Sequence, residues 1–201
     1  MIHVIGPKDP QREDAISTVS HSTTWSRGLS PFVLGPIPCY DGKIAKNMEN
    51  AWQFSKVYSL HVDANGEPMD SYFQWRDRGW EDDYAHRYPA GRGARPKFSL
   101  WEGRKLTYVE ARKAIYIPLY ARAVVKTDAY TTLKQLYEDE TELWLWDFDG
   151  YDHRKLGRTY EQVINDPNRK CGHAFVLAML LTGLIDAAGK FVDPPSTELP
   201  L

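Results

Sequence analysis

The run Ala174-Phe175-Val176-Leu177-Ala178-Met179-Leu180-Leu181 constrains the fold more than any other stretch of the chain. It is apolar nearly all round. A helix of this kind has no face to offer water, so it must pass through the middle of a core that the rest of the chain surrounds. Asp166 as cap and Pro167 at the first helical position are placed to open it, since a proline there gives up no hydrogen bond. Gly183 is placed to end it. With 201 residues the chain can build one such core, and two would each be small. No run approaches the length needed to span a bilayer.

The remaining elements follow from pattern and punctuation. Ile2–Ile5 reads as a short strand stopped by Gly6-Pro7, and residues 17–24 as a polar surface segment. Asp41-Gly42 is a turn signal, which predicts a hairpin of residues 32–40 with 43–45, interrupted by Pro31, Pro36 and Pro38. Residues 63–68 read as a loop and 71–87 as a helix carrying Tyr72, Phe73, Trp75, Trp80 and Tyr84. Thr107 with Glu110 forms a capping-box pattern for a helix over 107–125, which Pro118 should kink or break. Residues 130–138 continue helical, and Leu143–Trp146 reads as a buried strand. The expected architecture is α+β: a mostly helical single domain with a small sheet or hairpin. Residues 1–28 form an N-terminal strand and surface segment, 29–190 the main domain with 59–106 as an insertion-like part, and 191–201 a loosely held tail.

The chemistry concentrates in Asn47-Met48-Glu49-Asn50-Ala51-Trp52-Gln53-Phe54-Ser55-Lys56-Val57-Tyr58. Asn47 is a good helix cap, and Glu49 in the first turn suits the helix dipole. If the helix runs on to Tyr58, Glu49, Gln53 and Lys56 share one stripe. Ala51, Phe54 and Tyr58 then face the core, and Trp52 flanks the stripe. A carboxylate, an amide and an amine would line one edge beside an aromatic plane. The same pattern also describes an ordinary solvated face, and the residues alone leave both readings open.

Two further segments carry candidates. Residues 88–97 form a basic, glycine-rich loop in which Arg92 or Arg95 and backbone N–H groups can cradle a phosphate, or which is a plain connector. Asp147 and Asp149 follow a buried strand, as residues at a site mouth do and as turn residues do. The seven Trp, twelve Tyr and seven Phe serve a core and can also stack on bases. A net charge of −2 argues against a dedicated non-specific nucleic-acid binder. Cys39 and Cys171 form no CxxC pattern, so neither a zinc site nor a disulfide framework is expected, and no metal or other cofactor is called for. The first residues do not form a signal peptide, which points to a cytoplasmic protein.

In order, these pieces resemble the NADAR superfamily. Leu29-Ser30-Pro31-Phe32 is similar to the family's opening Leu-Ser-Asn-Phe segment, and Asp41-Gly42-Lys43 to its next turn. Met48 to Val57 resembles its most recognisable helix, with Glu49, Ala51, Gln53 and Lys56 matching outright and Trp52 replacing another aromatic. Residues 104–122 are similar in order to its basic helices, Trp146-Asp147-Phe148-Asp149-Gly150 to its acidic turn, and Asn168 to Gly172 to its late motif. The chain departs from the pattern at Pro31, Asn50 and Cys171, and in residues 59–106, as a divergent branch of the kind found in phage genomes would.

The resemblance implies an N-glycosidase. Its substrate would be an ADP-ribosyl nucleobase or a ribosylaminopyrimidine phosphate, either as a nucleotide-like small molecule or as ADP-ribosylated nucleic acid, with no membrane partner. Glu49 would be the first catalytic residue. Lys56 would bind ribose or phosphate or attack as an amine, with Asp147 and Asp149 as further catalytic carboxylates. Asn50, Trp52, Gln53, Trp146, Arg92 and Arg95 would bind substrate. Two alternatives stand beside it: a non-catalytic nucleotide-binding or protein-interaction module, and a phosphatase, since residues 143–150 also resemble the first haloacid-dehalogenase motif.

Overall fold

Apolar residues in Ile2–Ile5 form a strand, β1, with Ile2, Val4 and Ile5 buried. The computed structural model describes residues 1–192, so the predicted tail lies outside the described residues except for Phe191 and Val192. After β1 come β2 (Ile16–Ser17), β3 (Ile37–Pro38), β4 (Ile44–Ala45), α1 (Met48–Gln53) and β5 (Lys56–Val57). Then follow α2 (Asp70–Glu81), β6 (Phe98–Trp101), β7 (Arg104–Leu106), α3 (Tyr108–Ala111), a π-turn (Arg112–Tyr116) and α4 (Ile117–Val124). The described chain is completed by α5 (Asp128–Asp139), β8 (Leu143–Trp146), α6 (Tyr160–Asn165) and α7 (His173–Leu181). This is an α+β domain with helices around three small sheets.

β8 is the middle strand of its sheet, with β1 and β2 both parallel to it. Its alternation decides the faces: Leu143 and Leu145 enter the main core, while Trp144 stacks on His3 at 3.9 Å and is covered by Arg12 at 4.3 Å. As expected, α7 is central, with residues 173–180 all buried, and Gly183 follows it at φ 70°. Its start differs from expectation. Asp166 and Pro167 lie in a loop after α6, and α7 begins at His173. The capping acceptor comes from across the fold, because Asp147 Oδ2 takes the Ala174 N–H at 3.2 Å.

Where β1 and β8 end, their following loops cross at Gly6 and Gly150. A Cβ on Gly150 would stand 2.4 Å from the Ile5 carbonyl oxygen, and one on Gly6 2.0 Å from that of Gly150. Gly150→Ala is therefore expected to lower stability by about 1–3 kcal/mol, the usual cost of forcing atoms into a filled site. An unchanged urea midpoint would show that the crossing tolerates a methyl group.

The hairpin around Asp41-Gly42 forms, but only as the two-residue pairing of β3 with β4. Prolines at 31, 36 and 38 have no N–H to extend the ladder. The predicted helix over 71–87 ends at Glu81, because residues 82–86 are drawn onto Asn50. Thr107 and Glu110 do form a capping box. Pro118 neither breaks nor ends that helix: the preceding π-turn carries Ile117 N–H to Arg112 O, and the proline falls in the first turn of α4. Residues 59–106 supply α2 and the strands β6 and β7, which form a sheet on β5, and Tyr72 and Leu100 build a second small core with Val57. Among the described residues no helix is long and apolar enough to cross a membrane.

Candidate active site

The start of α1 is fixed from two sides. Asn47 Oδ1 accepts the Asn50 N–H at 2.8 Å, and the N–H groups of Met48 and Glu49 reach back to the carbonyls of Leu34 and Pro31. This sets Glu49 beside the Ser30-Pro31-Phe32 turn with its side chain buried, 6% exposed. α1 stops at Gln53, so Lys56 stands on β5 and not on the same helix. The expected line of groups nevertheless forms. Gln53 Nε2 donates to Glu49 Oε1 at 2.8 Å, and Lys56 Nζ donates to Gln53 Oε1 at 2.7 Å. The ammonium sits 4.6 Å from the Trp52 ring centroid. Burial pushes the Glu49 carboxyl above its ordinary value, against the pull of Gln53, Lys56 and Arg87. Burial likewise pushes the Lys56 amine down to about 8, against the Glu49 charge.

Glu49 lies where two compartments meet, each offering about 150 Å³ of free volume. Both share Glu49, Arg87, Tyr116 and Asp149. The first adds Lys56, Arg112 and Lys170 with Trp52, Tyr88 and Tyr108. The second adds His21, Pro31, Phe32, Phe148, Asp147 and His173. The π-turn explains how Tyr108, Arg112 and Tyr116, four apart in sequence, reach the same cleft: a widened turn keeps that spacing closer to one line than an α-helix does. Arg112 is buried, and its guanidinium donates to the carbonyls of Val163, Ile164, Asp166 and Arg169. That clasp holds the loop from which Lys170 and Cys171 enter the cleft.

The two aspartates have different tasks. Asp147 is 3% exposed: Oδ1 accepts the Asp149 N–H at 3.2 Å, and Oδ2 accepts Ala174 N–H and faces His173 Nδ1, each at 3.2 Å. It ties the end of β8 to the start of α7 and also lines the second compartment. Gly172 is pressed against it, a Cβ there falling 2.0 Å from Asp147 Oδ2. Asp149 Oδ1 instead collects Lys170 at 2.8 Å and Arg87 at 3.1 Å, ordering two cations at the cleft.

Several expected binding residues stand elsewhere. Asn50 is fully buried, its amide donating to Asp82 and Tyr84 carbonyls and accepting from His86 N–H, so it ties α1 to the end of α2. Trp146 packs against Phe148 at 4.9 Å and lines neither compartment. Arg92 and Arg95 are exposed on the 88–97 loop, which contributes Tyr88, Ala94 and Pro96 to the cleft wall instead. Pattern reading missed Arg87, Arg112, Tyr116, Lys170 and His173. Of these, the Tyr108/Arg112/Tyr116 spacing alone was a visible signal. Among the described residues no group of three or more His, Cys, Asp or Glu side chains is placed to hold a metal ion. Cys39 and Cys171 are free thiols. No protein-family model, curated protein or solved structure matches the chain.

Proposed function

We propose that this chain is a divergent NADAR-type N-glycosidase that hydrolyses the ribose–base bond of an ADP-ribosylated or ribosyl-phosphate substrate. One observation carries the reading: a buried carboxylate, Glu49, stands at the junction of a cation-rich compartment and an aromatic one. Phosphate suits the side with Lys56, Arg87 and Lys170. A base suits the side with Phe32 and Phe148. The ribose then spans the junction, its anomeric carbon over Glu49. Cleavage passes through an oxocarbenium-like sugar, which a carboxylate stabilises while taking a proton from the attacking water. Gln53 and Lys56 hold that carboxylate in one orientation.

The test is product analysis by mass spectrometry after incubation with ADP-ribosylated guanosine DNA, free ADP-ribose conjugates and ribosylaminopyrimidine phosphates. Release of a base with ADP-ribose or a ribose phosphate is the expected result. Tight binding of ADP-ribose with no turnover of any substrate would replace the enzyme with a binding module.

The pH–rate profile is expected to be bell-shaped. Glu49 must be ionised, so the rate rises with pH through a value that burial holds above 4.5. Lys56 must be charged to meet phosphate, so the rate falls as pH rises through about 8. A rate still climbing at higher pH would instead mark the neutral Lys56 amine as a nucleophile.

A further inference from the structure

The polar segment after β2 brings an imidazole to the wall of the second compartment. Residues 19–22 form a turn, with the Ser22 N–H bonded to the Val19 carbonyl at 3.0 Å. The chain is fastened on both sides of it. The Thr18 N–H and hydroxyl each reach the Trp146 carbonyl, at the end of β8, at 3.0 Å. His173 Nε2 is bonded to the Thr18 carbonyl at 2.8 Å, and Arg27 Nε donates to the Ser20 carbonyl at 3.1 Å. The Ser26 hydroxyl donates to the Ser17 carbonyl at 2.6 Å. His21 is the third residue of this held turn and lines the compartment. Its side chain is exposed, and no hydrogen bond or ion pair occupies its ring among the described residues.

The other groups on these walls are engaged. Asp147 accepts from main-chain N–H groups, and Asp149 accepts from Arg87 and Lys170. His173 is buried, with Nε2 on the Thr18 carbonyl and Nδ1 turned to Asp147. Burial pushes the Tyr116 phenol well above its ordinary value, which makes it a poor proton donor. Arg87 lines both compartments, its guanidinium 5.3 Å from the Phe148 ring centroid. A guanidinium donates hydrogen bonds but does not give up its proton. It suits the negative charge that gathers on a departing base. The imidazole suits the proton that the base must collect, histidine being the commonest side chain in such transfers. Exposure to water also lets His21 regain its proton after each turnover, while Glu49 works from a buried position.

Building on the N-glycosidase reading, we infer that His21 is the general acid of the reaction and gives its proton to the nitrogen of the departing base. In the reaction the water oxygen bonds to ribose C1′ as the C1′–N bond breaks. The bond's electron pair goes to the leaving nitrogen, which takes the imidazolium proton and departs as a neutral base. The water proton passes to Glu49. Glu49 then loses it to solvent, and His21 takes one back from solvent. The products are a free base and a ribose phosphate or ADP-ribose with a hydroxyl at C1′. A positioned acid typically contributes about 10²–10⁴-fold. The gain is large for a leaving amine or the anion of a neutral base. It vanishes for a leaving group that is stable as an anion.

The experiment compares the full chain with its His21→Gln variant on two leaving groups. One is the base of whichever substrate the product analysis finds to be cleaved, among ADP-ribosylated guanosine DNA, ADP-ribose conjugates and ribosylaminopyrimidine phosphates. The other is 4-nitrophenolate, released from 4-nitrophenyl β-D-ribofuranoside 5-phosphate and followed by its absorbance. The exposed side chain holds nothing in place, so the variant is expected to keep the parent's Tm. On the base substrate its kcat is expected to fall at least about 100-fold with little change in KM. On the nitrophenyl probe the loss is expected to shrink to less than about threefold, because that leaving group needs no acid. The alkaline limb of the base substrate's pH profile then carries His21 as well as Lys56, and that of the probe Lys56 alone, at about 8. A variant kcat within about threefold of the parent's on the base substrate would overturn the inference and leave the N-glycosidase function standing. So would equal losses on the two leaving groups, which would make His21 a residue that shapes the compartment. No cleavage of any substrate by the parent chain would overturn both.

Discussion

Glu49→Gln is expected to reduce turnover at least about 10³-fold, within the range that general-base and electrostatic groups supply, while the fold becomes slightly more stable. The stability direction follows from burial. The folded-state pKa of Glu49 lies above its ordinary value, so its contribution to stability is fully present below about the ordinary carboxylate range and is lost as pH rises through the folded value. At neutral pH the ionised side chain is therefore a cost to folding. The glutamine side chain of the variant would keep an oxygen for the Gln53 N–H without that charge. A small rise in Tm at neutral pH is expected, lessened by the attraction to the Lys56 ammonium that the variant gives up. Calorimetry paired with product analysis checks both halves. Near-normal turnover would remove Glu49 from the mechanism, and a large drop in Tm would make it a structural residue.

Replacing Arg112 is expected to be the most damaging change to the fold. Its guanidinium reaches four main-chain carbonyls in the 163–169 segment, and its flat face lies 4.6 Å from the Tyr108 ring centroid. Arg112→Ala would leave those carbonyls short of their buried partner and open a void, a loss of roughly 3–5 kcal/mol. Arg112→Lys is expected to recover little, since one ammonium cannot reproduce the planar spread of donors that spans both ends of the loop. Urea midpoints of the two variants against wild type measure this. A lysine variant as stable as the parent would mean that the charge matters and the fork does not.

Local signals were legible in the sequence wherever a nearby partner decides the structure. Asn47 caps α1, Thr107 and Glu110 form their box, and the run at 174–181 is buried as its composition demands. The Glu49–Gln53–Lys56 line was found for a partly mistaken reason: a helix followed by a strand delivers the same three groups that a longer helix would. Features set by distant chain were not legible. Asn50 looks like a site residue until the carbonyls of Asp82 and Tyr84 take its amide. Asp166 and Pro167 form a good local start signal, but Asp147 supplies the acceptor that opens α7. Arg87 and Lys170 lie outside any periodic pattern and reach the cleft because Asp149 collects them.

The parallel sheet has a consequence for how the protein is made. Ile2 precedes its partner Leu143 by 141 residues, and β2 also pairs only with β8. At roughly 5–20 residues per second of synthesis, β1 waits about 7–30 s on the ribosome for the strand that completes it. During that interval its apolar edge is open to wrong partners, and a topology of such distant pairings is intrinsically slow to close. β8 also leads directly into Asp147 and Asp149, so its arrival both closes the sheet and brings in the residues that order the cations of the cleft. A nascent chain would thus hold Glu49 in place well before it had a site to serve.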